Sequence, residues 1–103
     1  SEAWSEPVAI VEGLAVYARG EGEPLLLVPY PHAHTICPMI DGELARLLAS
    51  AGRRVISFDA PGAYRSTRPA VGDLAEMLAC AEEALAALLG PAEARGPVDA
   101  AGH

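Results

Sequence analysis

Residues that could perform chemistry are concentrated in two short stretches of the sequence. The first stretch is PYPHAHT (residues 29–35), which contains two histidines in a His-x-His arrangement. The two prolines that precede them exclude a regular helix or strand. The second is GPVDAAGH (residues 96–103), in which a third histidine follows a short apolar run. Histidine exchanges protons near neutral pH and is a common metal ligand. The two stretches therefore indicate acid–base chemistry or metal binding.

The His32–His34 pair is a weak motif for metal binding. Metal sites in proteins use three or four ligands, and no local carboxylate or thiolate pattern accompanies these two histidines. We therefore interpret this segment as an irregular loop that lines a site, with one histidine forming a structural hydrogen bond. No metal ion is expected.

Composition excludes several classes of function. The chain has 103 residues, of which 51% are hydrophobic and 20% charged, as in a globular protein. A net charge of −7 argues against a nucleic-acid partner, which would need clustered lysine and arginine. No apolar run approaches the roughly 18 residues of a membrane span, and no signal-peptide pattern opens the chain. Cys37 and Cys80 are expected to be buried thiols in a reducing cytoplasm.

Hydrophobic patterning predicts five strands and two helices in the order β-β-β-α-β-α-β. Glu12-Gly13 indicates a hairpin, and Asp73 followed by Glu76 is a capping box that opens the second helix. An antiparallel start followed by parallel strands with crossover helices defines an α/β layered sheet. The predicted strands are Val8–Val11, Leu14–Arg19, Leu25–Val28, Arg54–Phe58 and Val98–Ala101, and the predicted helices are Met39–Ala51, ended by Gly52, and a second one from the Asp73 cap to Leu89.

The last predicted strand indicates that the sheet is incomplete. Its residues are apolar without alternation, so it is expected to be covered on both faces, and no following helix supplies that cover. We therefore interpret residues 1–103 as the N-terminal half of a single domain, completed by another chain. Alone, the chain is expected to be molten or prone to aggregation, because such a strand exposes unpaired backbone.

Three segments match parts of one known family in chain order. GLAVYARGEGEPLLLV (13–28) looks like the family's opening strands, and SFDAPGAYRSTRP (57–69) resembles its Asp-x-Pro-Gly-x-Gly-x-Ser loop. GPVDAAGH (96–103) resembles the strand that enters the nucleophile elbow, which usually continues as Gly-His-Ser-x-Gly. On these motifs the chain resembles the N-terminal half of an α/β-hydrolase. The residues that match the family's loop are Asp59, Pro61, Gly62 and Ser66.

The resemblance implies an acyl hydrolase made of two chains. The nucleophile would directly follow His103, and the family's acid and catalytic histidine come later still in chain order. The partner is then the C-terminal chain of the same precursor, which carries all three groups, and the pair hydrolyses an ester, thioester or amide of a small molecule. No cofactor, nucleic acid or membrane is implied. His103 is interpreted as packing in the elbow and as a candidate cleavage site. The break there is either self-cleavage, in which a following hydroxyl or thiol attacks the His103 carbonyl, or a cut by an outside protease.

Two departures from the family pattern affect the site. The family's His-Gly-x motif, whose last residue donates an amide to the oxyanion hole, falls on Pro29-Tyr30-Pro31, and proline has no N–H. The donor is therefore expected to be the backbone amide of His32 or of Ala33, with Tyr30, Pro31 and His34 lining the substrate pocket. The second departure is Tyr64, which replaces a loop glycine and is expected to avoid the left-handed region.

The sequence also predicts structural roles for residues of the 59–69 loop, and it leaves two alternative functions open. We interpret Asp59 as a structural marker of the fold, and Arg65 and Arg68 as solvated or paired with nearby acids. An aspartate nucleophile would instead indicate a haloalkane dehalogenase or an epoxide hydrolase. A chain without any triad would be a binding protein of the same fold.

Overall fold

The computed structural model describes residues 4–29, 36–70 and 72–102, which form one α/β domain with a mixed five-stranded sheet. This confirms the α/β class and the mixed sheet of the prediction. None of the described helices is long and apolar enough to cross a bilayer. The strands are β1 (Ala9–Val11), β2 (Leu14–Arg19), β3 (Glu23–Val28), β4 (Arg53–Phe58) and β5 (Asp99–Gly102), and the helices are a 3-10 turn (Met39–Asp41), α1 (Glu43–Ser50), α2 (Leu74–Leu89) and the short α3 (Ala92–Arg95).

The order of the strands creates a reversal in the middle of the sheet. The strands lie in the order β1-β2-β4-β3-β5; β1 and β2 are antiparallel, β2 is antiparallel to β4, and β3 is parallel to both β4 and β5. From β3 the chain passes through α1 to β4, which pairs with one edge of β3. From β4 it passes through α2 to β5, which pairs with the opposite edge of β3. Such a reversal is a topological switch point, and it lies between the carboxyl ends of β3 and β5.

The two helices cover opposite faces of the sheet. Successive side chains of β3 point to opposite faces, so Leu26 and Val28 pack under α2 while Leu25 and Leu27 pack under α1. Cover on both faces explains why this strand is a continuous apolar run. The buried residues under α2 are Leu14, Val16, Leu26, Val28, Ile56, Phe58, Met77, Cys80, Ala81, Ala84 and Leu85, and those on the α1 side are Ala15, Tyr17, Leu25, Leu27, Ile40, Ala45 and Val55.

The first predicted helix is interrupted, which the sequence pattern did not indicate. Gly42 is extended, with φ −76° and ψ 169°, and separates the 3-10 turn from α1. The neighbouring Asp41 is buried, and its carboxylate accepts hydrogen bonds from the amide (3.0 Å) and the hydroxyl (2.6 Å) of Ser5. These bonds connect the 3-10 turn to the N-terminal segment, so a contact that is distant in sequence holds the turn in place. The short helix α3 was also not predicted, because glycines and prolines flank it.

The predicted aspartate cap of α2 and the glycines predicted to follow the two main helices are confirmed. Asp73 caps α2 by accepting a hydrogen bond of 2.8 Å from the backbone amide of Glu76. Gly52 follows α1 with φ +91°, and Gly90 ends α2 with φ +87°. Both helices therefore stop where glycine supplies a backbone conformation that other residues rarely adopt.

The last strand is an exposed edge, as expected for an apolar strand that this chain does not cover, and its cover by another chain stays a prediction. Asp99 and Ala100 are exposed, while Val98 and Ala101 are half-buried against the α2 and α1 sides of the sheet. Within the described residues β5 pairs with β3 alone. A short ion pair of 2.9 Å between Asp99 and Arg53 fastens the strand at its start. The apolar character of β5 is therefore not explained by burial within the described residues.

Candidate functional site

The switch point lies where the register between β3 and β5 ends. In this parallel pair Leu25 lies opposite Asp99, and Val28 lies opposite Gly102. Neighbouring strands are about 5 Å apart, so Val28 and Gly102 lie side by side at the carboxyl ends of the two strands. In open α/β sheets, ligands bind at this position.

The predicted site residues flank this register position in sequence but lie outside the described residues. They are Tyr30, Pro31, His32, Ala33 and His34, which follow β3, and His103, which follows β5. The structure brings together the last strand residues before each group, Val28 and Gly102. The oxyanion role of His32 or Ala33, the pocket-lining role of Tyr30, Pro31 and His34, and the cleavage at His103 therefore stay predictions.

Asp59, which directly follows β4, organises the neighbouring loop. Its carboxyl group is buried, with the residue only 2% exposed, and one oxygen accepts hydrogen bonds from the Tyr17 hydroxyl (2.6 Å) and the Arg65 amide (3.1 Å). Its own amide donates to the carbonyl of Ala15 over 3.0 Å. These partners lie in β2 and in the 59–69 loop, so the bonds hold the loop against the sheet. This agrees with the interpretation of Asp59 as a structural marker of the fold.

The electrostatics of the Tyr17–Asp59 pair suit a hydrogen bond and not a proton transfer. Burial raises the pKa of the Asp59 carboxyl group, and the bonds from Tyr17 and Arg65 oppose that rise. Burial, together with the bond to Asp59, raises the pKa of the Tyr17 hydroxyl. Tyr17 therefore remains a donor at all ordinary pH values. Sequence reasoning missed it, although a tyrosine within an apolar run signals a hydroxyl that must find a buried partner.

Ser66, the serine of the same loop motif, is fully engaged in structural bonds. Its hydroxyl accepts from the amide of Ala15 (2.9 Å) and donates to the carbonyl of Asp59 (2.7 Å). The side chain is buried. This hydroxyl bridges β2 and the end of β4, and no described base contacts it, so it has no geometry for nucleophilic attack.

Tyr64 adopts the conformation that the sequence was expected to exclude. Its φ is +46°, in the left-handed region, so the expectation that it would avoid this region is wrong. The loop imposes this conformation, because hydrogen bonds from Ala63 to Ala60 (2.9 Å) and from Ser66 to Ala63 (3.0 Å) fix both sides of it. The ring also packs edge-to-face on Trp4, with centroids 5.1 Å apart. A bulky residue with positive φ is an outlier, and such outliers concentrate at functional sites.

The two arginines of the loop are paired with acids, which confirms that prediction. Arg65 donates to Glu6 over 2.7 Å. Arg68 holds both carboxylate oxygens of Glu83, at 2.6 and 2.9 Å, and also donates to the carbonyls of Val11 (2.7 Å) and Glu12 (2.9 Å). The guanidinium of Arg68 thus ties the β1–β2 hairpin and the 59–69 loop to α2.

The Arg68–Glu83 pair gives a testable pH dependence. Glu83→Gln is expected to lower the free energy of unfolding by about 1 kcal/mol at pH 7, a value reduced for solvent screening. The hydrogen bonds from Arg68 lower the pKa of Glu83 in the folded protein. A lowered folded pKa stabilises the fold above the unfolded value of about 4.3, and the gain is lost as pH falls through the folded pKa. Urea unfolding between neutral and acidic pH measures it.

A matched control for this experiment is Glu82→Gln. Glu82 is more exposed than Glu83 and contacts Arg95 over a longer distance of 3.3 Å. Its replacement should change the free energy of unfolding by less than about 0.5 kcal/mol. A Glu83→Gln effect that stays constant down to the lowest pH would contradict the ion-pair argument.

Metal-ligating and thiol groups do not form a cluster in the part of the chain that is described. No group of three or more His, Cys, Asp or Glu side chains among residues 4–29, 36–70 and 72–102 could hold a metal ion. Cys37 and Cys80 are free thiols, with Cys80 buried and Cys37 half-buried. Burial raises the pKa of the Cys80 thiol, which makes it a poor nucleophile.

Comparison with known proteins adds no relative. No family model matches the sequence, and no curated protein matches it significantly. The fold therefore defines the class of this protein, an α/β domain with a mixed five-stranded sheet and a topological switch point between β3 and β5.

Proposed function

We propose that this chain is one half of a split α/β-hydrolase that hydrolyses an ester, thioester or amide, with the nucleophile supplied by the C-terminal chain of the same precursor. The observation that carries the proposal is the register of β3 and β5, in which Val28 lies opposite Gly102. In that family one oxyanion donor comes from the loop after the third strand, and the nucleophile lies on the turn after the fifth. This register sets Val28 and Gly102, the strand residues that come before these two segments, side by side.

The surroundings of β5 support completion by a second chain. An open groove of about 580 Å³ runs between α2, α3 and β5, and its walls include Leu78, Val98 and Ala100. Leu78 is 49% exposed, and Ala100 is also exposed. A strand added to β5, with a helix lying in this groove, would pair the free backbone edge and bury the apolar wall.

The proposed chemistry is acyl transfer to water. The partner's nucleophilic oxygen or sulfur bonds to the acyl carbon while its proton passes to the partner's histidine and then to the leaving alcohol, thiol or amine. Water then attacks the acyl-enzyme and gives its proton to the same histidine, which passes it to the nucleophile's oxygen or sulfur as the bond to the acyl carbon breaks and the acid is released. This chain contributes a backbone amide, from His32 or Ala33, that stabilises the oxyanion in both steps.

The test uses substitutions that separate the backbone amide from the side chain. In the assembled two-chain protein, His32→Pro or Ala33→Pro is expected to lower kcat for p-nitrophenyl acetate by about 10²–10³-fold, because one oxyanion donor is removed. The matched controls, His32→Ala and Ala33→Gly, keep the amide and should retain most of the activity. Circular dichroism of each variant checks that the fold is intact.

Two results would contradict the proposal. An assembled protein that hydrolyses no ester, thioester or amide would overturn the function itself. The second contradicting result would be an equal loss of kcat in His32→Pro and His32→Ala, together with an unchanged kcat in Ala33→Pro. It would show that the His32 side chain acts in catalysis and that neither backbone amide does. Self-cleavage after His103 stays a separate prediction, checked by replacing the following residue with alanine in the uncut precursor.

A further inference from the structure

A small cleft lies beside the 59–69 loop, away from the β5 groove. It has a volume of about 230 Å³ and is bounded by the N-terminal segment, β2, the residue before the 3-10 turn, and the loop after β4. At about 30 Å³ for each water, it has room for roughly eight water-sized groups, which is the size of one aromatic ring with one substituent. The residues that line it are Trp4, Ser5, Tyr17, Pro38, Tyr64 and Arg65.

The walls of the cleft are flat and rigid. Trp4 and Tyr64 meet edge-to-face with an interplanar angle of 82°, so their faces lie at right angles to one another. Tyr64 is held in its left-handed conformation, with φ +46°, by the hydrogen-bonded turn around it. Tyr17 is fixed by its bond to Asp59. Perpendicular aromatic faces favour a planar ligand that stacks on one ring and meets the edge of the other.

Arg65 is the only ionisable cation among the described residues that line this cleft. One of its terminal nitrogens pairs with Glu6 at 2.7 Å, but the Glu6 side chain is 82% exposed. An exposed carboxylate holds its partner weakly, and a guanidinium offers several further donors in a fork that matches a carboxylate. A ligand carboxylate can therefore replace Glu6 or share the guanidinium with it.

We propose that this cleft, built from Trp4, Tyr64 and Arg65, binds a small planar carboxylate such as an aromatic acid. The ring stacks on the face of one of these two aromatic rings and meets the edge of the other, and the carboxylate pairs with the Arg65 guanidinium. The site uses none of the residues to which the proposed hydrolysis assigns a role.

The test titrates benzoate, with its neutral analogue benzamide as the control ligand, into the protein with any partner chain that copurifies. Isothermal titration calorimetry is expected to show saturable binding of benzoate with at least tenfold higher affinity than that of benzamide. Arg65→Gln should lower the benzoate affinity at least tenfold and leave that of benzamide unchanged. Glu6→Gln should raise the benzoate affinity, because the competing carboxylate is removed.

A second variant tests the aromatic wall without endangering the fold. Tyr64→Gly relieves the positive φ and removes the ring, so the protein should stay folded while both ligands bind several-fold more weakly. Arg54→Gln, at the opposite end of β4 from Asp59, is a matched control and should change neither affinity. Absence of saturable benzoate binding at roughly 10 mM, or equal affinities for benzoate and benzamide, would overturn the proposal.

Discussion

The Gly22→Ala variant is expected to lose about 4 kcal/mol of its free energy of unfolding, from backbone strain and overpacking of roughly 2 kcal/mol each. Gly22 precedes β3 with φ +123°, a conformation that residues with a side chain rarely adopt, and a Cβ there would overlap the carbonyl oxygen of Gly52. Both colliding groups are held by the backbone, so neither can rotate away. Because folded domains are stable by only about 5–15 kcal/mol, urea denaturation should show a large shift of the midpoint.

Gly96→Ala is the matched control for this prediction. Gly96 also has a positive φ, +74°, but no atom lies within 4 Å of the position that a Cβ would take. Its replacement should cost the strain alone, about 2 kcal/mol. Equal losses in the two variants would contradict the steric argument. Gly22 also adjoins the pairing of Glu23 with Arg53, so a shift there should disturb the β3 register and, under the proposed function, lower hydrolysis.

The Tyr17→Phe variant is expected to lose about 2–3 kcal/mol of its free energy of unfolding at pH 7. The variant removes the buried hydroxyl that donates to Asp59 over 2.6 Å, and it leaves a carboxylate with one fewer partner in a site closed to water. Asp59 keeps the amide of Arg65 as a donor, which limits the loss. Chemical denaturation monitored by circular dichroism measures the change.

The pH dependence of this variant has a defined sign. Burial already raises the folded pKa of Asp59, and loss of the Tyr17 bond raises it further. A raised folded pKa stabilises the fold below the unfolded value of about 3.9, and that gain is lost as pH rises through the folded pKa. The difference between wild type and Tyr17→Phe should therefore be smallest in acid and grow as pH rises.

A double-mutant cycle with Asp59→Asn separates the charge from the packing. In the Asp59→Asn background no carboxylate is left without a donor, so Tyr17→Phe should cost less there than in the wild type and should not depend on pH. A difference between wild type and Tyr17→Phe that is constant with pH would show that the lost energy comes from ring packing and not from the buried carboxylate.

The elements of this fold were predictable because their signals are local. The continuous apolar run of β3, the aspartate cap of α2 and the glycine after α1 each act over a few neighbouring residues, and each is present as expected. The antiparallel start and the helix-linked strands followed from element order alone. The motif residues Asp59 and Ser66 were also found from sequence, although their bonding partners were not.

Contacts between distant parts of the chain were not predictable in the same way. The break at Gly42 is accompanied by the contact of Asp41 with Ser5, which lies 36 positions away. The left-handed backbone of Tyr64 was excluded on its residue type, yet the turn that surrounds it imposes that conformation. The exposure of β5 in this chain was expected, but its apolar run does not say what covers it.

The sequence by itself determined the five strands, the two main helices, the order of these elements and the α/β class, because periodicity, caps and backbone sterics act between near neighbours. Only the tertiary structure decided that Tyr17 reaches Asp59 across 42 positions, and that Trp4, Tyr64 and Arg65 share a cleft. It also decided that Val28 lies opposite Gly102. Such pairings depend on which strands become neighbours and on which buried polar group finds a partner, and packing of the whole chain selects both.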